Sequence, residues 1–246
     1  MTLGRFGPLV LIVVLGAIGI AFVVVRGGDE GSAPSPPAAP LRAPVLERVE
    51  DLAARVPSSR HVALRSRPDG RVLATVRGRT EFGSPQTLAV AFRKGDWIAV
   101  RSPALGNGRV GWVRARPLRL VRRPVRLEVD LSTRELVVRG GSRVQRRISV
   151  AIGAPDTPTP TGRFYVTDKL RGGDFGSYYG CCILALSGRQ PNLPEGWSGG
   201  DRLAIHGSPT PTWGEAVSNG CLHAPEADLR YLMKNVPPGT AVRVHA

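Results

Sequence analysis

Two side chains in this sequence have the types and spacing for acyl transfer. His206 lies in Ala204-Ile205-His206-Gly207-Ser208. Cys221 lies in Val217-Ser218-Asn219-Gly220-Cys221-Leu222-His223. Each stands beside a glycine, and fifteen positions separate them. A thiol attacks a carbonyl as thiolate, and a free cysteine at neutral pH is mostly protonated. An imidazole within reach takes that proton and later returns it to a leaving group. Gly220 lets backbone approach a substrate closely, so the amides of Asn219, Gly220 and Cys221 are candidates for an oxyanion hole. From the residues alone, two blander readings stay open: half of a metal site, or a buried thiol with an unrelated histidine.

The elements that must position this pair are legible around it. Leu203-Ala204-Ile205 reads as a strand that delivers His206 at its end. Ala224-Pro225-Glu226 reads as a helix start, with proline early and acids in the first turn. Cys221 is then expected on a loop before a helix N-terminus, whose positive end would lower its pKa.

The run His206-Gly207-Ser208, followed by Ser218-Asn219-Gly220-Cys221-Leu222, resembles the active-site signature of the L,D-transpeptidases with a YkuD-type catalytic domain. A second segment, Thr157-Pro158-Thr159-Pro160-Thr161-Gly162-Arg163-Phe164-Tyr165, is similar to that family's TPxGxF segment. The resemblance covers about residues 124 to 246. It implies a β-sandwich with a cleft beside the sheet, and Cys221 as nucleophile with His206 as general base and acid. No cofactor and no metal is implied. The orienting partner of His206 would be a backbone carbonyl, that of Gly207. Ser218, His223 and Tyr179 are candidates for contact with substrate, and Ser218 serves equally well as loop packing. The implied substrates are peptidoglycan stem peptides. One departure stands out: the family commonly has Arg two positions after the cysteine, and this chain has His223. A histidine there would hold a carboxylate only when protonated, or through a neutral hydrogen bond.

The chain has 246 residues and a net charge of +15. The charge is uneven. Residues 58–123 carry fifteen basic residues against three acidic ones, whereas residues 124–246 carry fourteen against eleven. The basic character therefore belongs to a middle module, and it suggests a polyanionic partner. Pro8 to Val25 is an uncharged, almost wholly apolar run of 18 residues, long enough to span a bilayer as a helix. It reads as an uncleaved signal anchor, over 1–26, rather than a cleaved signal peptide. Either reading puts the rest outside the cytoplasm, at the wall side of a bacterial membrane. Nucleic acid is then excluded, and anionic envelope polymers are favoured as partners. Gly27 to Pro44 is rich in Gly, Ser, Ala and Pro and reads as a tether, reaching on the order of 55 Å. Val45 to Val56 has apolar residues at helical spacing, and a short helix is expected there.

Between residues 58 and 123, five short strands broken by turns suggest a small barrel. Leu64-Arg65-Ser66-Arg67-Pro68, Gly95-Asp96-Trp97 and Gly111-Trp112-Val113 resemble bacterial SH3-like domains. Such a module serves as a wall-binding device or as a folded spacer. In residues 124–246, Val125 to Leu131 alternates apolar and polar, as a half-buried strand does. The expected class is mainly β: an SH3-like small barrel, then a β-sandwich, plus one N-terminal transmembrane helix. Cys181 and Cys182 are adjacent, and neighbouring cysteines rarely meet disulfide geometry. Both are expected unpaired.

Overall fold

The structure, a computed structural model, describes residues 46–246. The apolar run Pro8–Val25 and the tether 27–44 lie outside the described residues. Within them, no helix is long and apolar enough to cross a membrane.

The basic module is a sheet of eight short strands. They are β1 (Glu47–Arg48), β2 (Leu52–Arg55), β3 (His61–Arg65), β4 (Val72–Arg77), β5 (Thr87–Lys94), β6 (Trp97–Val100), β7 (Gly111–Arg114) and β8 (Arg119–Arg122). Their order is β4-β3-β7-β6-β5-β2-β8, with β1 beside β5. The five short strands expected between turns are all present. The expected helix over 45–56 is not: its described residues form β1 and β2. Helical spacing of apolar residues did not decide the matter, because open backbone edges did. Leu52–Arg55 fills the gap between β5 and β8, pairing Ala53 with Ala89 on one side and with Val121 on the other. Ala53 and Ala54 are fully buried there.

The second module contains β9 (Val125–Asp130), β10 (Glu135–Gly140), β11 (Arg143–Ser149), β12 (Ile152–Gly153), β13 (Gly162–Arg171), β14 (Cys182–Arg189), β15 (Arg202–His206), β16 (Ala216–Ser218), β17 (Leu222–His223), one helix α1 (Glu226–Asn235) and β18 (Ala241–His245). Eight of these strands form a sheet in the order β11-β10-β9-β18-β13-β14-β15-β17; β12 and β16 pair separately. The alternation in Val125–Leu131 works as expected: Leu127 and Val129 are buried, while Arg126, Glu128 and Asp130 face away. Asp130 caps the following turn by accepting from the Ser132 and Thr133 amides at 2.9 and 3.2 Å. A register shift between Val166 and Asp168 bends the long strand β13. The two halves of the sheet thereby close on one core, which joins Leu127, Val138 and Ile148 to Leu184, Ile205 and Leu222. Helix α1 packs on β14 and buries Leu229 and Leu232, worth about 1.5–3 kcal/mol each.

The two modules are fused rather than strung together. Tyr165 of β13 is fully buried, and its ring belongs to the core of the first module, with Leu64, Leu88 and Ile98. Thr80 donates to Asp168 at 2.5 Å. Asn107 makes two bonds with the backbone of Arg189, at 2.7 and 2.9 Å. Glu81 pairs with Arg202 at the start of β15.

The Tyr165 hydroxyl is buried without a hydrogen-bond partner, so ring and hydroxyl make opposite contributions. Tyr165→Phe is expected to leave the melting temperature unchanged or raise it. Tyr165→Ala is expected to cost about 3–5 kcal/mol and to unfold both modules in a single transition. Two separate calorimetric transitions in the wild type would contradict the fused arrangement.

Candidate active site

Strands β15 and β17 run parallel, with Ile205 opposite Leu222 and His206 opposite His223. Cys221 immediately precedes β17 and so lies level with Ala204. Side chains alternate along a strand, so Cys221 and His223 share the face that carries Ala204 and His206. All four line one cleft of about 560 Å³, together with Tyr178, Tyr179, Gln190, Trp197 and Asn219. The structure thus brings together Cys221, His206, His223, Tyr179 and Asn219 from the sequence-based set.

His206 is almost fully buried. Its Nδ1 lies 2.6 Å from the carbonyl oxygen of Gly207. A carbonyl only accepts, so Nδ1 carries the proton and Nε2 has the lone pair. Gly207 is held in turn, since its amide donates to the Tyr179 carbonyl at 2.9 Å. A side chain at 207 would meet that oxygen at 2.9 Å and Gly180 at 3.0 Å. Burial, reinforced by His223 with its ring centroid 4.7 Å away, lowers the His206 pKa to about 4; the Gly207 bond opposes this. Tyr179 stands edge-on to the same ring at 4.9 Å.

The thiol of Cys221 points toward the Arg202 carbonyl at 3.9 Å. Burial pushes its pKa up to about 11, partly offset by a backbone hydrogen bond from Ala204. This reverses the expectation of a thiol acidified by a helix. Strand β17 lies between Cys221 and α1, which begins at Glu226, and a helix end acts only within about one turn. The resting site therefore holds a neutral thiol and a neutral imidazole.

The loop carrying Cys221 is pinned from behind by the threonines of the 157–165 segment. Thr157 donates to the Ser218 carbonyl at 2.9 Å, and Thr159 donates to the Gly220 carbonyl at 3.0 Å. Gln190, which no sequence motif singled out, donates to the carbonyls of Thr157, Pro158 and Asn219. Gly220 has φ 104, and a Cβ there would lie 2.1 Å from the Gln190 amide nitrogen. Only glycine fits.

Two expectations for this loop need correction. The Gly220 amide donates to Ser218 Oγ at 3.1 Å, so it is not free for an oxyanion. Ser218 is buried and donates to the Cys221 carbonyl at 2.6 Å, which turns it into the loop and away from substrate. The amides of Asn219 and Cys221 have no acceptor among the described residues. His223 is buried at the cleft wall, with Nδ1 lacking a partner, and burial disfavours its charged form. Among the described residues, no three His, Cys, Asp or Glu side chains converge as metal ligands.

Cys181 and Cys182 are bonded to each other, contrary to the expectation that both are unpaired. In a continuous strand they would point to opposite faces. Cys181 instead sits in the turn after Gly180 (φ 65), and only Cys182 belongs to β14. Cys221 is the free thiol among the described residues.

Iodoacetamide is expected to add one group to the unfolded, unreduced chain and three after reduction; three without reductant would remove the disulfide. In the folded chain, the alkylation rate of Cys221 is expected to climb through about pH 11. A plateau near neutrality would instead reveal a preformed thiolate–imidazolium pair.

A sequence profile of the L,D-transpeptidase catalytic domain (YkuD) matches residues 124–244. The putative L,D-transpeptidase YkuD of Bacillus subtilis is 32% identical over 125 residues, 50% of this chain and 66% of that protein. The putative L,D-transpeptidase YqjB of the same organism is 32% identical over 126 residues, 47% of this chain and 68% of that protein. Among solved structures, the catalytic domain of the E. faecium L,D-transpeptidase acylated by ertapenem is 25% identical. It aligns with 50% of this chain and 97% of its own, at a TM-score of 0.38. On the strength of its sequence relatives, this chain belongs to the L,D-transpeptidase family, with a YkuD-type catalytic domain in its C-terminal half.

Proposed function

We propose that this protein is a cysteine-dependent L,D-transpeptidase that crosslinks peptidoglycan by acyl transfer. The observation that carries the reading is the Nδ1-protonated His206, which leaves Nε2 bare in the cleft that holds the Cys221 thiol. In this reading the donor is a tetrapeptide stem. As Cys221 Sγ bonds to the carbonyl carbon of the third residue, its proton passes to His206 Nε2. The amides of Asn219 and Cys221 stabilise the oxyanion. Collapse breaks the bond to the terminal D-alanine, whose nitrogen receives that proton. A thioester remains. The amine of a second stem attacks it, gives its proton to His206, and forms the crosslink as the thiol is restored. Tyr179 and neutral His223 contact the stem, with His223 acting as a hydrogen-bond partner.

The apolar run Pro8–Val25 supports an anchored protein with its catalytic module on the wall side. The basic module supports contact with anionic envelope polymers, and its short strands suit an SH3-like barrel.

Incubating the protein with defined muropeptides and weighing the products tests this reading. Crosslinked dimer is expected from the wild type, with none from Cys221→Ala. His206→Gln is expected to slow the reaction by about 10²–10⁴-fold. Free tripeptide without dimer would make the protein a hydrolase, and dimer from Cys221→Ala would exclude the nucleophile. A carbapenem, the class of ligand on the E. faecium relative, is expected to add its mass at Cys221 alone.

A further inference from the structure

The polar face of β9, β18 and β13 lines an open cleft and keeps Arg243 exposed to solvent. It faces β1 and β5 of the basic module across a cleft of about 770 Å³. Strand register places Arg126 and Glu128 of β9, Arg243 of β18 and Arg163 of β13 along this face. The basic module contributes Arg48, Glu50 and Arg101. Five guanidinium groups therefore meet two carboxylates.

Both carboxylates are already shared. Glu50 lies 2.6 Å from Arg163 and 3.8 Å from Arg48. Glu128 lies 3.0 Å from Arg126 and 2.5 Å from Arg139. Arg101 and Arg243 make no direct ion pair among the described residues, although Glu50 lies near enough to Arg101 to favour its charge and Glu128 is the neighbour of Arg243 across the β9–β18 pair. Arg243 stands directly opposite Arg163 across the β13–β18 pair, where like charges repel. Arg101 is half-buried, and burial, followed by the charge of Arg163, holds its guanidinium below its usual pKa. A partly desolvated cation whose nearest carboxylate is shared with two other arginines costs stability.

We propose that this cleft between the modules is a binding site for a phosphate-bearing anion, gripped by Arg101 and Arg243. Guanidinium forks match phosphate oxygens in pairs. The surplus of positive charge suits a dianion or adjoining phosphodiesters. The cleft shares no lining residue with the one that holds Cys221, so this site stands whatever reaction the other performs. Two sources carry the required chemistry: a phosphodiester polymer of the envelope and a phospholipid headgroup.

Calorimetric titration of the full chain with inorganic pyrophosphate tests the site. The comparison is between R101Q/R243Q and R60Q/R109Q, which removes two exposed arginines outside the cleft. Both pairs lose the same charge. The cleft variant is expected to bind roughly 10-fold more weakly or worse, and the control to stay within about twofold of wild type. Without anion, R101Q is expected to melt at or above the wild-type temperature, which separates loss of the site from misfolding. A soluble phosphodiester oligomer and phosphatidylglycerol vesicles, titrated in the same way, identify the source: binding that depends on Arg101 and Arg243 supports the proposal in either arm. Equal weakening in both variants, or affinity untouched by R101Q/R243Q, overturns it.

Discussion

The site depends on the two backbone groups of Gly207. Its carbonyl accepts from His206 Nδ1 at 2.6 Å, and its amide donates to the Tyr179 carbonyl at 2.9 Å. The bond to Tyr179 holds the backbone on the N-terminal side of the Gly207 Cα, and the carbonyl on its other side fixes the tautomer and direction of the imidazole. A carboxylate in the carbonyl's place would hold the ring equally well, but it would raise the histidine's proton affinity. A neutral carbonyl orients the ring while burial keeps it uncharged. Behind this contact, Tyr179 and Gly180 are followed directly by the Cys181–Cys182 bond. The covalent turn therefore backs the segment that holds Gly207.

The nucleophile has a support of its own. Thr157, Thr159 and Gln190 bind the carbonyls of residues 218 to 220. Those carbonyls point back toward the protein, which leaves the Asn219 and Cys221 amides uncommitted. The basic module bears on the same site at one remove. Glu81 pairs with Arg202, whose carbonyl faces the Cys221 sulfur and whose strand ends in His206. Such a contact couples the two modules mechanically, in keeping with the burial of Tyr165 in the neighbouring core.

Much of this was legible in the sequence because it rests on local signals. Short apolar runs between turns mark β3 to β7, alternation marks β9, and the paired motifs mark His206, Gly207 and Cys221. What escaped notice depends on long-range partners. Residues 46–56 have helical spacing but complete an open sheet, since hydrogen bonding to β5 and β8 outweighs periodicity. Cys221 is not acidified by the helix, because burial disfavours its thiolate and a two-residue strand separates it from α1. Gln190 carries no motif; its importance comes from three carbonyls far away in sequence. The roles of Ser218 and the Gly220 amide were hidden because one hydroxyl bridges both ends of its own loop.

The tautomer of His206 is the central claim, and nitrogen-15 NMR of the imidazole at neutral pH tests it most directly. A neutral ring is expected, with a protonated Nδ1 and a bare Nε2, its Nδ1 proton shifted downfield by the bond to Gly207. A ring protonated at Nε2, or at both nitrogens, would contradict it, because no lone pair would then be available to the thiol.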